Sequence, residues 1–578
     1  MATRSSNRRP YRPRVRRRGL VVCALGLLAA LGVAPSVGAA APNVVLIVTD
    51  DQRWDTISAM PTVQSQLVGK GVTFTNAFAV NPLCCPSRAS ILTGFYSHSI
   101  GIWTNSGFGR FDDRSTIAVQ LRRAGYRTAF IGKYLNTYNS SYVPPGWNRW
   151  VAFVPSNGVN YFSYRLNVDG TIHARGDAPA DYSTDVLAAS AESFIRSTGA
   201  SRPLFLLVAP YAPHGPATPA PRHADAFPGM DPWRPESYNE PDVSDKPSWL
   251  RAVQPLANPA PIDDFRRRQY QSLLAVDDAV GRILSALAET DRLEDTLVIF
   301  TSDNGFLWGE HRLFGKVVPY EESIRVPLVA RYDRVLAQPR IEQRQALNVD
   351  LAPTIAAYAG LSLRADGRSL RPVIERRPVS WRTSFLVEGR NYPGFPSPSY
   401  CAIRGSRYVY AAYATREEEL YDLQLDKPQL TNRVREPALS SRLIAMRRQL
   451  LGRCNPPPPG LSLHWICTKR GTPADDRILG TPGLDSLCGG TGDDFLQAQG
   501  GNDRLHGAAG RDVLDGGIGS DRLEGGLGRD RLYGGPGTDR LATRDGVQDV
   551  VSCGGGFDVV TADRPDKAAR DCERVVRR

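Results

Sequence analysis

Lysine is scarce in this chain of 578 residues: seven of its 71 basic residues are lysines, so arginine is the default cation. Two of those seven, Lys133 and Lys316, lie in segments that hold other candidate functional residues. A lysine ammonium is compact and can approach one oxygen and donate a proton, whereas arginine is a planar fork whose pKa is too high for proton transfer. The placement supports a specific role for both lysines without proving one.

Acidic residues are absent from the first 41 residues, and residues 1–18 carry eight arginines. Removing those eight charges from the formal net charge of +12 leaves +4 for the rest of the chain. The basic balance is therefore a property of the N-terminal segment. Because the remainder is only weakly basic, we expect no nucleic-acid partner.

The sequence also lacks a hydrophobic run long enough to cross a membrane. Residues 19–33 are apolar, but about 15 residues fall short of the roughly 20 that a transmembrane helix needs, and Pro35 follows. Arginines before this run and small residues at 37–41 after it give the layout of a secretory signal peptide. We expect residues 1–40 to be that peptide and the mature protein to be secreted; a retained N-terminal anchor is the alternative.

Cysteines are few, and their pairing is only partly predictable. Of the nine, Cys23 lies in the predicted signal peptide. In an exported protein local disulfides are expected, and the spacing favours Cys454–Cys467 and Cys553–Cys572. Spacing assigns no partner to the remaining cysteines of the mature chain outside position 84, which are Cys85, Cys401 and Cys488.

Four short apolar runs are each followed by polar residues. The runs are Asn43–Val48, Thr128–Ile131, Leu204–Val208 and Leu297–Thr301. They are apolar on both faces and separated by helix-like stretches, which is typical of buried parallel strands in a doubly wound α/β domain. Such sheets bind ligands at the carboxyl ends of their strands. The residues that follow these ends include Asp50, Asp51, Lys133, His214, Asp303 and Asn304.

Two polar pairs in this set have the chemistry of a divalent-cation site. Asp50-Asp51 and Asp303-Asn304 offer hard oxygen ligands, and no histidine or cysteine stands among them. That ligand set favours Ca²⁺ or Mg²⁺ over zinc. An isolated Asp-Asp pair is usually a solvated loop, but a second pair at another predicted strand end makes a metal site the better interpretation.

The run Cys84–Gly94 reads C-C-P-S-R-A-S-I-L-T-G. Pro86 suits the first position of a helix, so we expect a helix to begin there with Cys84 just before it. The unpaired N–H groups and the dipole of a helix N-terminus favour an anion, and Arg88 adds a positive charge about one turn in. The alternative is a structural or disulfide-bonded pair formed by Cys84 and Cys85.

This run resembles the sulfatase signature C-x-P-S-R followed by L-T-G. The resemblance extends over roughly residues 42–452. Within the family, the sequence is most similar to the glucosamine-6-sulfatase branch. It implies a sulfatase domain over 41–452, with an α/β core of the alkaline-phosphatase kind to about residue 375 and a smaller C-terminal α+β subdomain. It also implies hydrolysis of a sulfate ester, on a sulfated sugar or glycan or on an aryl compound.

In that family the first cysteine of the signature is oxidised to formylglycine, so the resemblance implies that a formylglycine-generating enzyme converts Cys84. The aldehyde hydrate has two hydroxyls: one attacks sulfur, and deprotonation of the other then expels sulfate. The resemblance further implies a role for each residue of the cluster. Calcium would be held by Asp50, Asp51, residue 84, Asp303 and Asn304; sulfate would be contacted by Arg88, Lys133 and Lys316; His214 would lie near the leaving oxygen.

One position departs from the family pattern. Many arylsulfatases have a histidine two residues after the first lysine, where this chain has Leu135. The base that completes the reaction is therefore open, and His311 is a candidate because it lies close in sequence to Lys316. A structural histidine that packs the loop is an equally good interpretation of His311.

Aspartates recur every nine residues toward the C-terminus, each followed two residues later by Ile or Leu. They are residues 476, 485, 494, 503, 512, 521, 530 and 539, and glycines precede most of them. The pattern resembles the calcium-binding nonapeptide of RTX proteins, which coils into an all-β roll. It implies a roll over 471–552 whose calcium ligands include Asp494, Asp512, Asp521, Asp530 and Asp539. A disordered glycine-rich linker is the alternative.

The segments that flank this roll have their own character. Residues 453–470 are rich in proline and are expected to form a stiff linker, whereas residues 553–578 break the nine-residue register and are expected to cap the roll. We interpret the module as an aid to folding after export or as an attachment to a cell surface or polysaccharide. Two other functions stay open: a phosphoester or phosphonate hydrolase of the same superfamily, and an inactive, secreted calcium-dependent binding protein.

Overall fold

The computed structural model describes residues 41–154, 158–463 and 465–577. The predicted signal peptide, residues 1–40, lies outside the described residues. Within them, no helix is both long and apolar enough to cross a membrane. From residue 41 onward, an α/β core is followed by a small antiparallel sheet and then by a β-roll.

A ten-stranded sheet forms the core. Its strands are β1 (Asn43–Thr49), β2 (Val72–Phe74), β3 (Arg127–Gly132), β4 (Arg149–Phe153), β5 (Arg165–Val168), β6 (Thr171–Ala174), β7 (Leu204–Ala209), β8 (Thr296–Ser302), β9 (Leu328–Arg331) and β10 (Arg340–Glu342). The order across the sheet is β10-β2-β9-β8-β1-β7-β3-β4-β5-β6. The central strands β8, β1, β7, β3 and β4 run parallel, and antiparallel pairs occur toward both edges.

The four strands predicted from the apolar runs are neighbours in the middle of this sheet, in the order β8-β1-β7-β3. Every residue of β1 is buried. Val44 and Leu46 pack into an apolar cluster on one face, and Val45 and Ile47 pack into a second cluster on the other. The predicted α/β core is therefore confirmed, and it brings four carboxyl strand ends to one edge of the sheet.

Helices cover both faces of the sheet. The α-helices of the described residues are α1 (Cys84–Thr93), α2 (Ser97–Ile100), α3 (Ile117–Arg123), α4 (Ser183–Arg196), α5 (Ser248–Arg251), α6 (Ala260–Glu289), α7 (Glu321–Ile324), α8 (Leu351–Tyr358), α9 (Arg371–Ile374) and α10 (Ser440–Arg453). Residues of α1, α3 and α8 join the cluster on one face, and residues of α4 and α6 join the cluster on the other.

The start of α1 differs from the expectation. The helix begins at Cys84, because Leu83 is the last residue with extended backbone, so Cys84 lies in the first turn and Pro86 is the third helical residue. A proline is tolerated there since the first four N–H groups of a helix have no partner within it. The predicted closeness of Cys84 to a helix N-terminus is confirmed, but the helix begins two residues earlier than predicted.

A four-stranded antiparallel sheet follows the core. Its strands, β11 (Ser384–Gly389), β12 (Tyr400–Gly405), β13 (Tyr408–Tyr413) and β14 (Glu418–Asp422), pair in chain order. One face of this sheet packs with residues of the core such as Phe78 and Leu347, and the other face packs with α10. Strands and a helix thus form the α+β subdomain expected from the family resemblance.

The C-terminal residues form a roll of two parallel sheets. The strands are β15 (Lys469–Arg470), β16 (Arg477–Thr481), β17 (Ser486–Thr491), β18 (Phe495–Gln499), β19 (Arg504–Ala509), β20 (Val513–Asp515), β21 (Arg522–Leu527), β22 (Arg531–Pro536), β23 (Arg540–Thr543), β24 (Val550–Gly555), β25 (Val559–Ala562), β26 (Lys567–Ala568) and β27 (Arg574–Arg577). Odd-numbered strands form one sheet and even-numbered strands form the other. One aliphatic side chain from each of ten successive strands, β16 to β25, fills the narrow core between the sheets.

Residues 553–577 do not form the separate cap that the broken register suggested. β24 to β27 continue both sheets in parallel pairing. Asp549 follows Asp539 after ten residues instead of nine, yet the aspartate is still followed two residues later by an aliphatic residue, Val551, which is buried. The turn absorbs the extra residue, so the coil continues unchanged.

Three disulfides form among the described residues, and one of them was predicted. Cys553–Cys572 is confirmed. The predicted pair Cys454–Cys467 is wrong: Cys454, at the end of α10, bonds to Cys401 of β12, and Cys467 bonds to Cys488 of β17. The error arose because pairing was inferred from sequence distance, whereas α10 packs across the small sheet and the linker runs onto the roll. Cys84 and Cys85 are free and buried.

Candidate active site and calcium-binding roll

The carboxyl ends of β1, β3, β7 and β8 and the first turn of α1 meet around Cys84. Cys84 Sγ lies 3.5 Å from Asp50 Oδ1 and 4.0 Å from Asp51 Oδ1. Lys316 Nζ lies 2.8 Å from the same sulfur. Ligand atoms of Asp50, Asp51, Cys84 and His214 all lie within 4.8 Å of one another. Residues that are far apart in sequence therefore surround one point, as their strand-end positions predict.

Three carboxylates at this point face three cations. Lys133 Nζ lies 2.5 Å from Asp50 Oδ2, Lys316 Nζ contacts Asp51 Oδ1, and Arg88 Nε lies 2.8 Å from Asp303 Oδ2. All six side chains are nearly or fully buried. The formal charges cancel, so a divalent cation would leave the site positive and suited to an anionic substrate.

The two carboxylates nearest Arg88 titrate in opposite directions. Burial favours the neutral acid, but the charge of Lys133, aided by Arg88, outweighs it and holds the pKa of Asp50 well below its usual range. Burial, together with the charge of Asp50, raises the pKa of Asp303 to about 6. Asp50 is thus a fixed negative charge, whereas Asp303 takes up a proton in mildly acidic solution, and a bound cation would lower its pKa.

The donor set fits the predicted cation. Four oxygen-bearing side chains converge from two strand ends, and Asn304 Oδ1 is buried without a hydrogen-bond partner. The amide nitrogen of Asn304 donates to Asp51 Oδ1 at 2.7 Å, and the backbone N–H of Asp51 donates to Asp303 Oδ1 at 3.1 Å. Such an all-oxygen arrangement with an orphaned acceptor suits Ca²⁺ or Mg²⁺.

The encoded thiol is a poor nucleophile in this setting. Burial, the largest effect, raises the pKa of Cys84 to about 12 despite the nearby lysines Lys133 and Lys316. Since the thiolate is the reactive form, an unmodified Cys84 is almost entirely protonated at neutral pH. The side chain of Cys85 lies in the apolar cluster on the α1 face of the sheet instead.

His214 presents one ring nitrogen to the cluster. Its Nδ1 lies 2.7 Å from the carbonyl oxygen of Gly215, and its Nε2 lies 3.7 Å from Asp51 Oδ2. A carbonyl oxygen only accepts, so Nδ1 carries the proton and Nε2 keeps its lone pair. Burial lowers the pKa of His214 below its ordinary value, which keeps the ring neutral. His214 is therefore arranged to accept a proton at Nε2.

The structure does not bring His311 into this cluster. His311 is fully buried, its Nδ1 lies 2.8 Å from Glu240 Oε2, and its ring stacks on Tyr320 with centroids 4.2 Å apart. His311 lies in the turn of a short hairpin formed by Leu307–Trp308 and Phe314–Gly315, and Lys316 follows that hairpin. Closeness in sequence was misleading, because His311 contacts Glu240 whereas Lys316 contacts Cys84. Leu135 is buried in the apolar cluster on the α1 face of the sheet, so it supplies no proton acceptor.

A cavity of about 310 Å³ opens beside Lys133. Aromatic rings form much of its wall, and Phe153 and Tyr211 stack within it at a centroid distance of 4.1 Å. Asn136 also lines it, and the side-chain oxygen of Asn136 is buried without a partner. Sequence reasoning missed these residues, because the loops that carry them have no recognisable pattern. The cavity has the size and polarity to take an uncharged ring.

Buried carboxylates line the turns of the roll. In each coil, one oxygen of an aspartate accepts from the backbone N–H of the aspartate one coil earlier, as for Asp521 Oδ1 and the N–H of Asp503 at 2.7 Å. The other oxygen is buried without a partner in every predicted ligand: Asp494, Asp512, Asp521, Asp530 and Asp539. Burial raises the pKa of Asp521 to about 7. Because these carboxylates are buried close to one another, bound cations are needed to stabilise their ionised form.

Glycine leaves room for these carboxylates. A Cβ on Gly507 would lie 2.4 Å from Asp512 Oδ2, so the turn can hold the carboxylate only if residue 507 has no side chain. Three further aspartates have the same buried, unpartnered oxygen: Asp503, Asp549 and Asp558. The first is in register and could have been named from sequence. Asp549 and Asp558 follow the inserted residue. The one sequence feature that marks them is an aliphatic residue two positions after each aspartate.

Comparison with known proteins agrees with this geometry. A family model named sulfatase matches residues 42–361, and a model for the C-terminal part of N-sulphoglucosamine sulphohydrolase matches residues 309–454. Four copies of the RTX calcium-binding nonapeptide repeat match between residues 470 and 547. The matches thus cover both the α/β part and the roll.

Several curated relatives are sulfatases by name. The chain is 35% identical to N-acetylglucosamine-6-sulfatase of Homo sapiens, over 65% of this chain and 72% of that protein. It is 34% identical to the extracellular sulfatase SULF-1 homolog of Drosophila melanogaster. It is also 34% identical to the putative extracellular sulfatase Sulf-1 homolog of Caenorhabditis elegans. It spans only 33% and 53% of the length of these last two relatives.

Solved structures share the fold. One was determined in complex with its substrate D-glucosamine-2-N,6-O-disulfate; it has a TM-score of 0.61 and 25% identity, over 72% of this chain and 97% of the other. The phosphonate monoester hydrolase of Agrobacterium radiobacter has a TM-score of 0.57 and 22% identity, over 71% of this chain and 95% of the other, which shows the fold alone. With a sulfatase model over more than half of its length and a human sulfatase matched over 72% of that protein, the chain belongs to the sulfatase family, with RTX calcium-binding repeats at its C-terminal end.

Proposed function

We propose that this protein is a secreted hydrolase that cleaves the sulfate ester of a sulfated sugar, with residue 84 as the nucleophile. The observation that carries the proposal is that an acidic pair from one segment and a lysine from another converge on Cys84 Sγ. Cations and carboxylates at such spacing suit the binding of an anion at a metal.

Cys84 requires modification for this role. As a thiol with a pKa of about 12, it is neither a good nucleophile nor able to regenerate itself after attack. Oxidation to formylglycine, by a maturation enzyme, would supply a hydrate whose second hydroxyl lets the sulfated residue collapse and release sulfate. The first turn of α1 holds residue 84 against Asp50, so the modified side chain would occupy the same point.

The calcium ligands would be Asp50, Asp51, Asp303 and Asn304, together with residue 84. When bound, the ion would polarise a sulfate oxygen and the attacking hydroxyl. The chain holds these ligands independently of the ion: Arg88 Nε fixes Asp303, and Lys133 fixes Asp50. Such preorganisation lowers the cost of gathering like charges around one ion.

Arg88, Lys133 and Lys316 would contact the sulfate oxygens. Burial lowers the pKa of Lys316, but Asp51 and then Cys84 outweigh it and raise that pKa well above its ordinary value. Lys133 behaves in the same way beside Asp50. Both ammonium groups are therefore charged at neutral pH, and Lys316 lies close enough to residue 84 to donate a hydrogen bond to the leaving oxygen.

His214 would serve as the base that the family histidine, here Leu135, provides elsewhere. Its unprotonated Nε2 faces the cluster, and its ligand atom lies within 4.8 Å of Cys84 Sγ. Removing a proton from the second hydroxyl of the hydrate needs such a neutral acceptor. His311, whose Nδ1 pairs with Glu240, would take no part.

The leaving group would be a sugar ring seated in the cavity beside Lys133. Rings of Phe153, Tyr211 and Tyr392 offer flat faces to sugar C–H groups, and the orphaned oxygen of Asn136 offers an acceptor to a hydroxyl or amide N–H. The human relative acts, by its name, on N-acetylglucosamine 6-sulfate. We extend that substrate class to this chain.

The test compares two substrates that differ only in their central atom. N-Acetylglucosamine 6-sulfate and N-acetylglucosamine 6-phosphate are offered in parallel to the calcium-loaded, formylglycine-containing protein. We expect kcat/KM for the sulfate to exceed that for the phosphate at least a hundredfold. A faster phosphate reaction would replace the proposal with a phosphoester hydrolase, and no reaction with either would favour a binding protein.

A further inference from the structure

The outer face of one sheet of the roll carries a line of arginines. In each coil the aliphatic residue points inward, so the residues before and after it point outward. Strand pairing places Leu505, Leu523 and Leu541 in one inner row. The residues that precede them, Arg504, Arg522 and Arg540, therefore stack in register on the outer face of β19, β21 and β23.

These three arginines lack acidic partners. Among the described residues, no carboxylate oxygen lies within 4.0 Å of any of their guanidinium groups. Neighbouring strands are about 4.8 Å apart, and like charges directly opposite one another destabilise a sheet. Arg504 Nη1 is buried without a hydrogen-bond partner. We call this set, Arg504, Arg522 and Arg540, the arginine ladder; it is an arrangement that an external anion would stabilise.

The rest of this face does not neutralise the ladder. The adjacent outward row contains His506, Glu524, Ala542 and Thr561, so Glu524 is its one acid, and it faces His506 at 3.9 Å. Arg574, two strands beyond Arg540, extends the same row after Val559. Arg522, Arg540 and Arg574 are exposed to solvent. The positive line thus runs along the axis of the roll for several coils.

The opposite sheet has no such line. Its row at the same repeat position reads Arg477, Phe495, Val513, Arg531, Val550 and Lys567. Apolar residues separate the cations there, so no two arginines are adjacent. The ladder is therefore not imposed by the repeat itself, because the calcium-binding turns are alike on both edges.

We propose that the arginine ladder binds a linear sulfated polysaccharide that lies along the axis of the roll. Arginine forms paired hydrogen bonds to oxyanions, and a row of them at about 5 Å intervals suits a polymer with anions at regular spacing. The described strand residues of this face include no aromatic ring for stacking a nucleic-acid base and no cluster of apolar side chains for entering a membrane.

The ladder and the catalytic cluster would then hold one polymer at two points. Simultaneous attachment raises the effective concentration of the second site without any new contact. Asp485 of the roll is fixed to the catalytic part by Arg448 of α10 at 2.6 Å, which ties the two surfaces together. The choice of a sulfated polymer rests on the proposed function; the ladder as an anion-binding surface does not.

The experiment measures retention of the full-length mature protein on immobilised dextran sulfate, with calcium present and plain dextran as the uncharged comparison. The ladder variant is Arg522→Gln with Arg540→Gln. The matched control is Arg477→Gln with Arg531→Gln, which changes the same repeat position and the same net charge on the other sheet. We expect the ladder variant to bind roughly tenfold more weakly or worse, and the control to stay within about twofold of the wild type.

Equal weakening in both variants would overturn the proposal, since net charge alone would explain it. Tighter binding to duplex DNA or to anionic phospholipid vesicles than to dextran sulfate, lost in the ladder variant, would overturn the choice of partner. Calcium-induced circular dichroism checks that each variant folds. Turnover of a small aryl sulfate is expected to be unchanged in both, so a protein that binds dextran sulfate through the ladder but hydrolyses nothing would refute only the proposed function.

Discussion

Lys316 Nζ lies 2.8 Å from Cys84 Sγ and also contacts Asp51 Oδ1. One buried ammonium therefore joins the residue to be modified to a carboxylate of the proposed calcium site. The relationship explains why a lysine stands here in a chain that otherwise uses arginine: a compact ammonium fits between a sulfur and an oxygen, and a planar guanidinium does not.

Lys316→Met is expected to lower kcat for a sulfate ester by roughly 10²- to 10³-fold, the usual effect of removing one group that stabilises developing charge. Lys316→Arg should restore little, because its fork cannot take the same position. Lys427→Met, at an exposed position, serves as the control and should be fully active. If Lys316→Arg retains wild-type kcat, charge rather than shape is what position 316 supplies.

His214→Gln tests the assignment of the base. If His214 deprotonates the hydrate, the variant still completes the first step and releases about one equivalent of alcohol per active site before turnover stalls. Rapid mixing with a chromogenic aryl sulfate measures this burst. Loss of the burst together with turnover, restored by substrates with more acidic leaving alcohols, would show instead that His214 protonates the leaving group.

Chelation is expected to unfold the roll selectively. Without calcium, burial raises the pKa of Asp503 and Asp521 to about 7, so ionising them near neutral pH works against the folded coil. Asp521→Asn should therefore weaken the calcium-induced gain of β signal in circular dichroism. Glu524→Gln, on the outer face of the strand that follows Asp521, is the matched control and should have no effect. If the β signal of the roll in circular dichroism changes neither with calcium nor with chelator, the account is contradicted.

The contact between His98 and Glu388 predicts a pH effect on stability. Burial would lower the pKa of His98, but the hydrogen bond and charge of Glu388 outweigh it and raise that pKa above its ordinary value. A group whose pKa is higher in the folded than in the unfolded state stabilises the fold fully at pH values below the unfolded pKa, which is about 6.5 for histidine. This stabilisation is lost as the pH rises through the higher, folded-state pKa. The free energy of unfolding should thus fall above pH 6.5.

Chemical denaturation across pH 6 to 9 measures that slope. Burial also raises the pKa of Glu388, so its ionised form depends on His98 remaining charged. His98→Gln should flatten the slope, whereas the control His173→Gln, on the exposed edge strand β6, should leave it unchanged. Parallel slopes for the wild type and His98→Gln would show that this pair does not couple stability to pH.

The cluster around Cys84 was predictable because its polar residues follow strand ends. Continuous apolar runs predict buried parallel strands, and topology then forces the residues after β1, β3, β7 and β8 to one edge. His311 could not be placed in this way, since its position depends on how a hairpin turns and on Glu240, a distant residue. Leu135 was recognised as a departure, but only the tautomer of His214 suggests what replaces the missing histidine.

Features that depend on packing between segments were beyond the sequence. The pair Cys401–Cys454 exists because α10 lies across the small sheet, a relation that spacing cannot show. The roll continues beyond the extra residue between Asp539 and Asp549 because a turn can hold one more residue. The inner row of aliphatic side chains, in contrast, must stay continuous to fill the core. The cavity beside Lys133 is formed by loops without repeat or periodicity, so its lining could not be predicted.

The central claim is that residue 84 performs the chemistry only after oxidation. The most direct measurement is aryl sulfatase turnover plotted against the fraction of the Cys84 peptide that mass spectrometry finds as the aldehyde, in preparations made with increasing amounts of formylglycine-generating enzyme. The account predicts a straight line through zero, because a thiol with a pKa of about 12 does not react at neutral pH. Full turnover in a preparation whose Cys84 is entirely thiol would contradict it.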